Sequence, residues 1–483
     1  MVKKLAYIMS EFDLAYRNNA ETARPEMNEV SETLRENIEK IKNVFLNARY
    51  PLSAEGEQLK AEILAGKYDN EQLCHLLPTV ENPRSGLFVD LNIDEENKAA
   101  VFGPELSIIQ TTKGCSHQCK HCAIAAGKKI ETMPFPAVVK CAEAKHLADI
   151  KIAQEIREYI TELEKITGYS RLQLAYMKYG FYKDGEFSKE QTRLAAEKVR
   201  EFFANSEFKA TFYGLGNGRW IKSLQQSIYS SEEFDRDKAE EGFVNIPVTM
   251  PEMDNFIVNY FDSDPFDYKD PNFLHEDGTP ANYGDVYRAL SSRIRHAYVL
   301  TAGWAETNKD NNSATQDMFN RFHRPKEDFR GGQFTLSVSK YEHRYDRNPE
   351  TYLRDTLNVL KSVVGFGIKV RLYDEGNDAQ WTERVANPIR EYIKKIKSEN
   401  KEEEIQIDLD DLDEISRYSG RLAREGGPTE DDWDVMTSCP GVIIQPDGQI
   451  LYHKRSAEKA YAESDPGVRP EPVDLPKLWE IER

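Results

Sequence analysis

Leu106-Ser107-Ile108-Ile109-Gln110-Thr111-Thr112-Lys113-Gly114-Cys115-Ser116-His117-Gln118-Cys119-Lys120-His121-Cys122 is the stretch whose reading decides the fold. Its apolar opening, Leu106 to Gln110, reads as a buried strand bounded by a glycine. The cysteines after it have C-x3-C-x2-C spacing and are three of only six in the chain. Loops of two or three residues let such sulfurs converge on one soft metal centre, whether an iron-sulfur cluster, zinc or cuprous copper. A closed structural site takes four ligands, whereas three leave one position open for water, substrate or cofactor. His117 or His121 is a candidate fourth ligand, and with either one the run becomes a zinc knuckle.

In spacing and in its place behind a strand, the run resembles the radical S-adenosylmethionine (SAM) enzymes, whose motif is C-x3-C-x-aromatic-C. His121 stands where that family has its aromatic residue. The resemblance implies a 4Fe-4S cluster on Cys115, Cys119 and Cys122, with its fourth iron chelated by the amino and carboxylate groups of SAM and His121 beside the cofactor. One electron then cleaves the sulfonium, and a 5′-deoxyadenosyl radical takes hydrogen from the substrate, so the cofactor carries the hard chemistry. It further implies an electron donor such as flavodoxin or ferredoxin, and a small-molecule or peptide substrate. Met133-Pro134-Phe135-Pro136 also resembles the segment on the carboxyl side of the cluster in that family. The rival class is a non-catalytic interaction protein that holds zinc or an iron-sulfur centre.

Composition narrows the setting. The chain has 483 residues, 39% hydrophobic and 30% charged, which describes a globular protein of two or three units or one barrel-like core with additions. No run of eighteen apolar residues offers a membrane span. Lys3 and Lys4 are followed by Glu11 and Asp13 before an apolar core develops, so no signal peptide is expected. Six cysteines, three of them clustered, do not form a disulfide framework, and thiolates on a cluster need a reducing compartment; the cytoplasm is expected. A net charge of −19 disfavours nucleic acid as a partner.

The sequence predicts an α/β fold: a partial (βα) barrel of parallel strands over residues 101–375, a helical N-terminal region over 1–100, and a small α+β extension over 376–483. In the first region Val30, Leu34, Ile38, Ile41, Val44 and Phe45 recur at helical spacing. Further helices are expected after Ser53 and over 70–77, with Cys74 as buried filler, and a short hairpin over 85–91 and 99–102. Pro136 opens a helix running to about Thr167, with Val139, Ala142 and Ile150 on its stripe, Cys141 in its core side and a break near Asp149.

More than 130 residues separate Cys122 from the next strand, Asn255 to Phe261, so a large insertion is placed at about 170–250 after the cluster-bearing unit. It contains a helix opened by Ser188 with Gln191, and a glycine-rich turn over Tyr213–Trp220 that lacks phosphate-loop spacing. Strands over 296–301, 333–339 and 368–373 alternate with helices over 285–294, near 315–322 and over 349–364, as in parallel βα units. Beyond 376, the acidic residues of 402–414 read as a solvated face anchored by Ile407, Leu409 and Leu412. Gly441–Gln445 and Gln449–His453 form a hairpin around Pro446-Asp447-Gly448. With Cys439 before it, this piece resembles the opening of the SPASM extensions of peptide-modifying radical SAM enzymes. No cysteine comes after it, so a second all-cysteine cluster is disfavoured and a peptide-modifying role stands second.

Functional groups of such sheets gather at the carboxyl ends of the strands. After the second strand stands Asp262-Ser263-Asp264-Pro265-Phe266-Asp267, which resembles the Gly-Gly-Glu-Pro-like motif that holds the SAM amino group. Asp264 matches the acidic place, while Asp262 and Ser263 depart from the glycines; the alternative is an ordinary Pro turn. Ser337 and Ser339 end a later strand where the family uses a polar residue on the SAM ribose, although alternating serines also suit a strand's polar face. Arg371, Asp374 and Glu375 close the last strand as solvated charges or as carboxylate partners. The candidate site is therefore Cys115, Cys119 and Cys122 for metal, and His121, Ser263, Asp264, Ser337 and Ser339 for cofactor, with no catalytic side chain nominated.

Overall fold

Helix caps set the N-terminal region. In a computed structural model of the chain, Ser31 Oγ accepts the Leu34 N–H (3.1 Å) and opens α1, Glu32–Asn47, which buries Leu34, Ile38, Ile41 and Phe45. Ser53 opens α2, Ala54–Leu64, and a reciprocal Asp69–Gln72 capping box opens α3, Asn70–Leu76, whose Cys74 is buried. The structure describes residues 30–88, 90–103, 106–117, 127–170, 256–258, 263–291, 297–301, 333–340, 348–363, 368–373, 378–399, 407–412, 441–453 and 471–479, with residues 173, 191, 194–195, 198 and 345. The helix opened by Ser188, the 213–220 turn, the 315–322 helix and Cys439 lie outside them.

The hairpin expected over 85–102 is not formed. Ser85–Leu87 is a single 3-10 turn, and Glu95–Phe102 is helix α4, capped by the Asp94 carboxylate on the Asn97 N–H (2.7 Å). A four-residue apolar run does not distinguish strand from helix, and the cap decides it. Val101 and Phe102 are fully buried, and α4 packs on α5, Phe135–Thr167. That 33-residue helix passes Asp149 without the expected break and ends at Gly168 in the left-handed region (φ 74°).

The molecule is mixed α/β, built on one nine-stranded sheet. In chain order the strands are β1 Leu106–Ile109, β2 Thr112–Lys113, β3 Glu131–Thr132, β4 Phe256–Val258, β5 Lys269–Leu274, β6 Pro280–Asn282, β7 Ala297–Thr301, β8 Gln333–Ser339, β9 Ile368–Tyr373, β10 Ile407–Leu412, β11 Gly441–Ile444, β12 Ile450–His453 and β13 Glu471–Pro472. The main sheet has the order β10-β9-β8-β7-β4-β1-β11-β12-β13, while β2–β3 and β5–β6 form separate two-stranded ladders. From β10 across to β11 all neighbours are parallel, and only β12 and β13 are antiparallel.

Ile108, Ile109, Val442 and Ile444 have no exposed surface, the pattern of strands covered on both faces. The helices among these strands are α6 Tyr283–Ser291, α7 Pro349–Val363 and α8 Asn387–Glu399, the last entered through a π-helical turn at Thr382–Ala386. The acidic stretch read as a solvated face contains β10, paired with β9 along its whole length. One apolar core runs from α1 and α2 through α5 to the sheet, where it takes in Ile109, Leu336, Val370 and Ile444. Among the described residues no helix is long and apolar enough to cross a membrane.

Candidate metal and cofactor site

Strand order singles out the end of β1. From β1 the chain adds β4, β7, β8, β9 and β10 in one direction, then returns to the other side of β1 for β11. Winding therefore reverses between β1 and β11, and in open α/β sheets ligands bind outside the carboxyl ends of strands at such a reversal. Cys115, the first of the three cysteines, follows β1 and β2 at that point.

The exit from β1 is held rigidly. Gln110, Thr111 and Thr112 are buried; the Gln110 N–H donates to Ile444 O (2.8 Å), and its side-chain amide donates to Thr112 O (2.7 Å) and Ser263 Oγ (2.9 Å). The β2–β3 ladder and the Met133 N–H to Thr111 O bond (2.8 Å) close the base of the loop. Gly114 sits at φ +86°, and a Cβ there would lie 1.9 Å from Lys129 O, so glycine is required by both conformation and space. The Cys115 N–H donates to Gly127 O (2.9 Å) across the loop.

The segment after β4 lies alongside. Gly114 and Ser263 form a parallel bridge, and the Thr112 hydroxyl donates to Asp264 O (3.2 Å). Asp264, 5% exposed, caps a 3-10 turn over Pro265–Asp267: one carboxylate oxygen accepts the Phe266 N–H (2.9 Å), and the other lies 3.3 Å from Nε2 of the buried His117. Asp267, also buried, accepts the Ser116 N–H on one oxygen (2.8 Å). Cys115, His117, Asp264 and Asp267 thus come together, with Ser263 at the rim. Cys119, His121 and Cys122 lie outside the described residues, as does Asp262.

Electrostatics keep this pocket protonated at sulfur. Burial pushes the Cys115 thiol up to about 12; His117 opposes this, and the Asp264 and Asp267 charges add to it. Burial likewise raises the Asp267 carboxyl, with His117 acting the other way. A thiol in such surroundings becomes a thiolate when a bound cation supplies the missing positive charge. The donor chemistry of Cys115, a soft sulfur at a strand end beside carboxylates, fits one corner of an iron-sulfur or zinc centre. Among the described residues no set of three ligands converges, since two of the three cysteines are not among them.

Cys141 is fully buried in α5 and its thiol is pushed up by burial alone, the behaviour of an inert core residue. Ser337 and Ser339 lie on β8, three strands from β1, about 14 Å across the sheet at ordinary strand spacing. Ser339 is buried, and its backbone N–H donates to the Tyr352 hydroxyl (3.2 Å). Two residues of the site escape sequence reasoning: Asp267, three positions past Asp264 across a Pro turn, and His117 as the partner of Asp264. The only local signal is the D-x-D-P-x-D pattern, which places two carboxylates on one short turn. Comparison of the chain with protein-family models, with curated proteins and with solved structures finds no match.

Proposed function

We propose that this chain is a radical SAM enzyme acting on a small-molecule or peptide substrate. The observation that carries the reading is the bridge between Gly114 and Ser263, which sets the start of the cysteine run, at Cys115, beside the acidic Pro segment at the reversal point of a parallel sheet. Support for a partial (βα) barrel comes from β1, β4, β7, β8, β9 and β10, each parallel to and beside its predecessor. Cys115, Cys119 and Cys122 would hold a 4Fe-4S cluster, with His121, Ser263, Asp264 and Ser337 or Ser339 toward SAM. When bound, cluster and SAM would supply one-electron cleavage and a hydrogen-abstracting radical.

The chain's own residues have defined tasks in this proposal. Gly114 lets the backbone turn Cys115 toward the sheet mouth, and the β2–β3 ladder keeps the loop base closed. Asp264 offers a carboxylate already oriented by the Phe266 N–H, so an incoming ammonium group shares that carboxylate with His117. A cytoplasmic setting and a flavodoxin- or ferredoxin-like electron donor belong to the same proposal. Metal analysis of anaerobically purified protein tests it against the zinc-binding interaction protein: roughly four irons with sulfide per chain are expected, and one zinc without sulfide overturns the reading.

A further inference from the structure

The loop that carries the cysteines is gripped at both ends by one short acidic segment. At its entry the Asp267 carboxylate accepts the Ser116 N–H (2.8 Å), one residue past Cys115. At its exit the buried Asp270 carboxylate accepts the Phe135 N–H (2.8 Å), where α5 begins, and the Asn272 N–H (2.9 Å). Phe266 and Asp267 lie in the Pro265 turn, which Asp264 caps, so the direction of the Asp267 side chain is set by local structure before any metal arrives.

Asp267 is 3% exposed, and its second oxygen accepts no hydrogen bond. Asp267 meets Ser116 through both its main-chain N–H and its side chain, with the charge of His117 nearby, and burying a carboxylate for so few partners is unfavourable unless fixing Ser116 matters, because the desolvation of the charged group is only partly offset. Proline supplies the turn without Asp267, and the turn's own hydrogen bonds go to Asp264 and to Pro265 O, so the fold of the segment does not explain the acid.

We propose that Asp267 is a positioning residue for Cys115: by fixing Ser116 it sets the direction of the first cysteine, and it holds that direction in the metal-free chain. Its bearing on metal uptake rests on the radical SAM reading; its bearing on the thiol does not.

The full-length chain is compared with D267A and D267N, since Asn keeps a carbonyl acceptor and Ala removes it. The first readout is the alkylation rate of Cys115 in metal-free protein, followed by peptide mass spectrometry. D267A is expected to react about tenfold faster or more, the factor carried by one hydrogen bond, with D267N, which keeps an acceptor but loses the charge, nearer to the unaltered chain than D267A is. In the second readout, anaerobic iron titration, D267A is expected to bind about 10- to 100-fold more weakly, as when the outer support of a metal ligand is lost, and D267N is again close to the unaltered chain. Unchanged alkylation and uptake in D267A overturn the proposal, as does equal loss in D267A and D267N. Loss of the helical circular-dichroism signal in D267A also overturns it, since that assigns the residue to folding. Should the unaltered chain itself take up no iron, the radical SAM reading fails while the alkylation comparison still decides the role of Asp267.

Discussion

At the scale of single residues, Cys115 and Cys141 show how position decides what a thiol does. Both are pushed up by burial, but Cys115 lies half-buried beside His117, Asp264 and Asp267, while Cys141 faces only apolar core. Cys115→Ala is therefore expected to abolish the visible absorbance and iron content of reconstituted protein. Cys141→Ala should leave both intact and lower stability by about 1 kcal/mol, the loss of one small buried group. Equal iron in the two variants would remove Cys115 from the metal site. The spacing of the cysteines is read from the sequence alone, because Cys119 and Cys122 lie outside the described residues. Asp267 was not legible: it meets Ser116 across 151 positions, and contacts without a local signature, such as the pairing of Gly114 with Ser263, bring the two segments together.

Among the elements, the β5–β6 hairpin ties the N-terminal helices to the rest of the molecule. Ser31 donates to Glu276 (2.5 Å), Lys40 to Gly278 O (2.6 Å), and the Val80 N–H to Leu274 O (2.9 Å). At its centre His275, 1% exposed, places its ring nitrogens 2.6 Å from Glu81 and 2.8 Å from Asp285. Burial alone would depress this imidazole, but hydrogen bonds and charge from Asp285 and Glu81 raise it to about 9 from an ordinary 6.5. A folded-state pKa above the unfolded one gives stability that is whole below pH 6.5 and is lost as pH rises to about 9. The loss is on the order of 3 kcal/mol. Urea midpoints should fall across that window in the unaltered chain and stay level in His275→Gln, which is itself less stable at pH 6; parallel pH profiles would rule out the His275 linkage. Helices with long apolar periods and clear caps, α1 to α3, were legible in sequence. Residues 95–102 and 407–412 were not, because a short apolar run and an alternating acidic one take their state from a cap in one case and from pairing with β9 in the other.

Over the whole molecule, the succession of parallel strands was legible because each apolar run is bounded by turn residues and separated by a helical period. The hairpin of β11 and β12 was equally clear from Pro446-Asp447-Gly448, but its place beside β1 has no local signature. That placement makes β1 an interior strand and puts the segment that leads to Cys115 where the winding reverses. Fold and candidate chemistry meet there, and the most direct test is reductive cleavage of SAM. The chain is reconstituted anaerobically with iron and sulfide, reduced, and incubated with SAM, and 5′-deoxyadenosine is quantified against Cys115→Ala. Radical SAM chemistry predicts 5′-deoxyadenosine from the unaltered chain and none from the variant. A reduced, cluster-loaded chain that leaves SAM intact contradicts it.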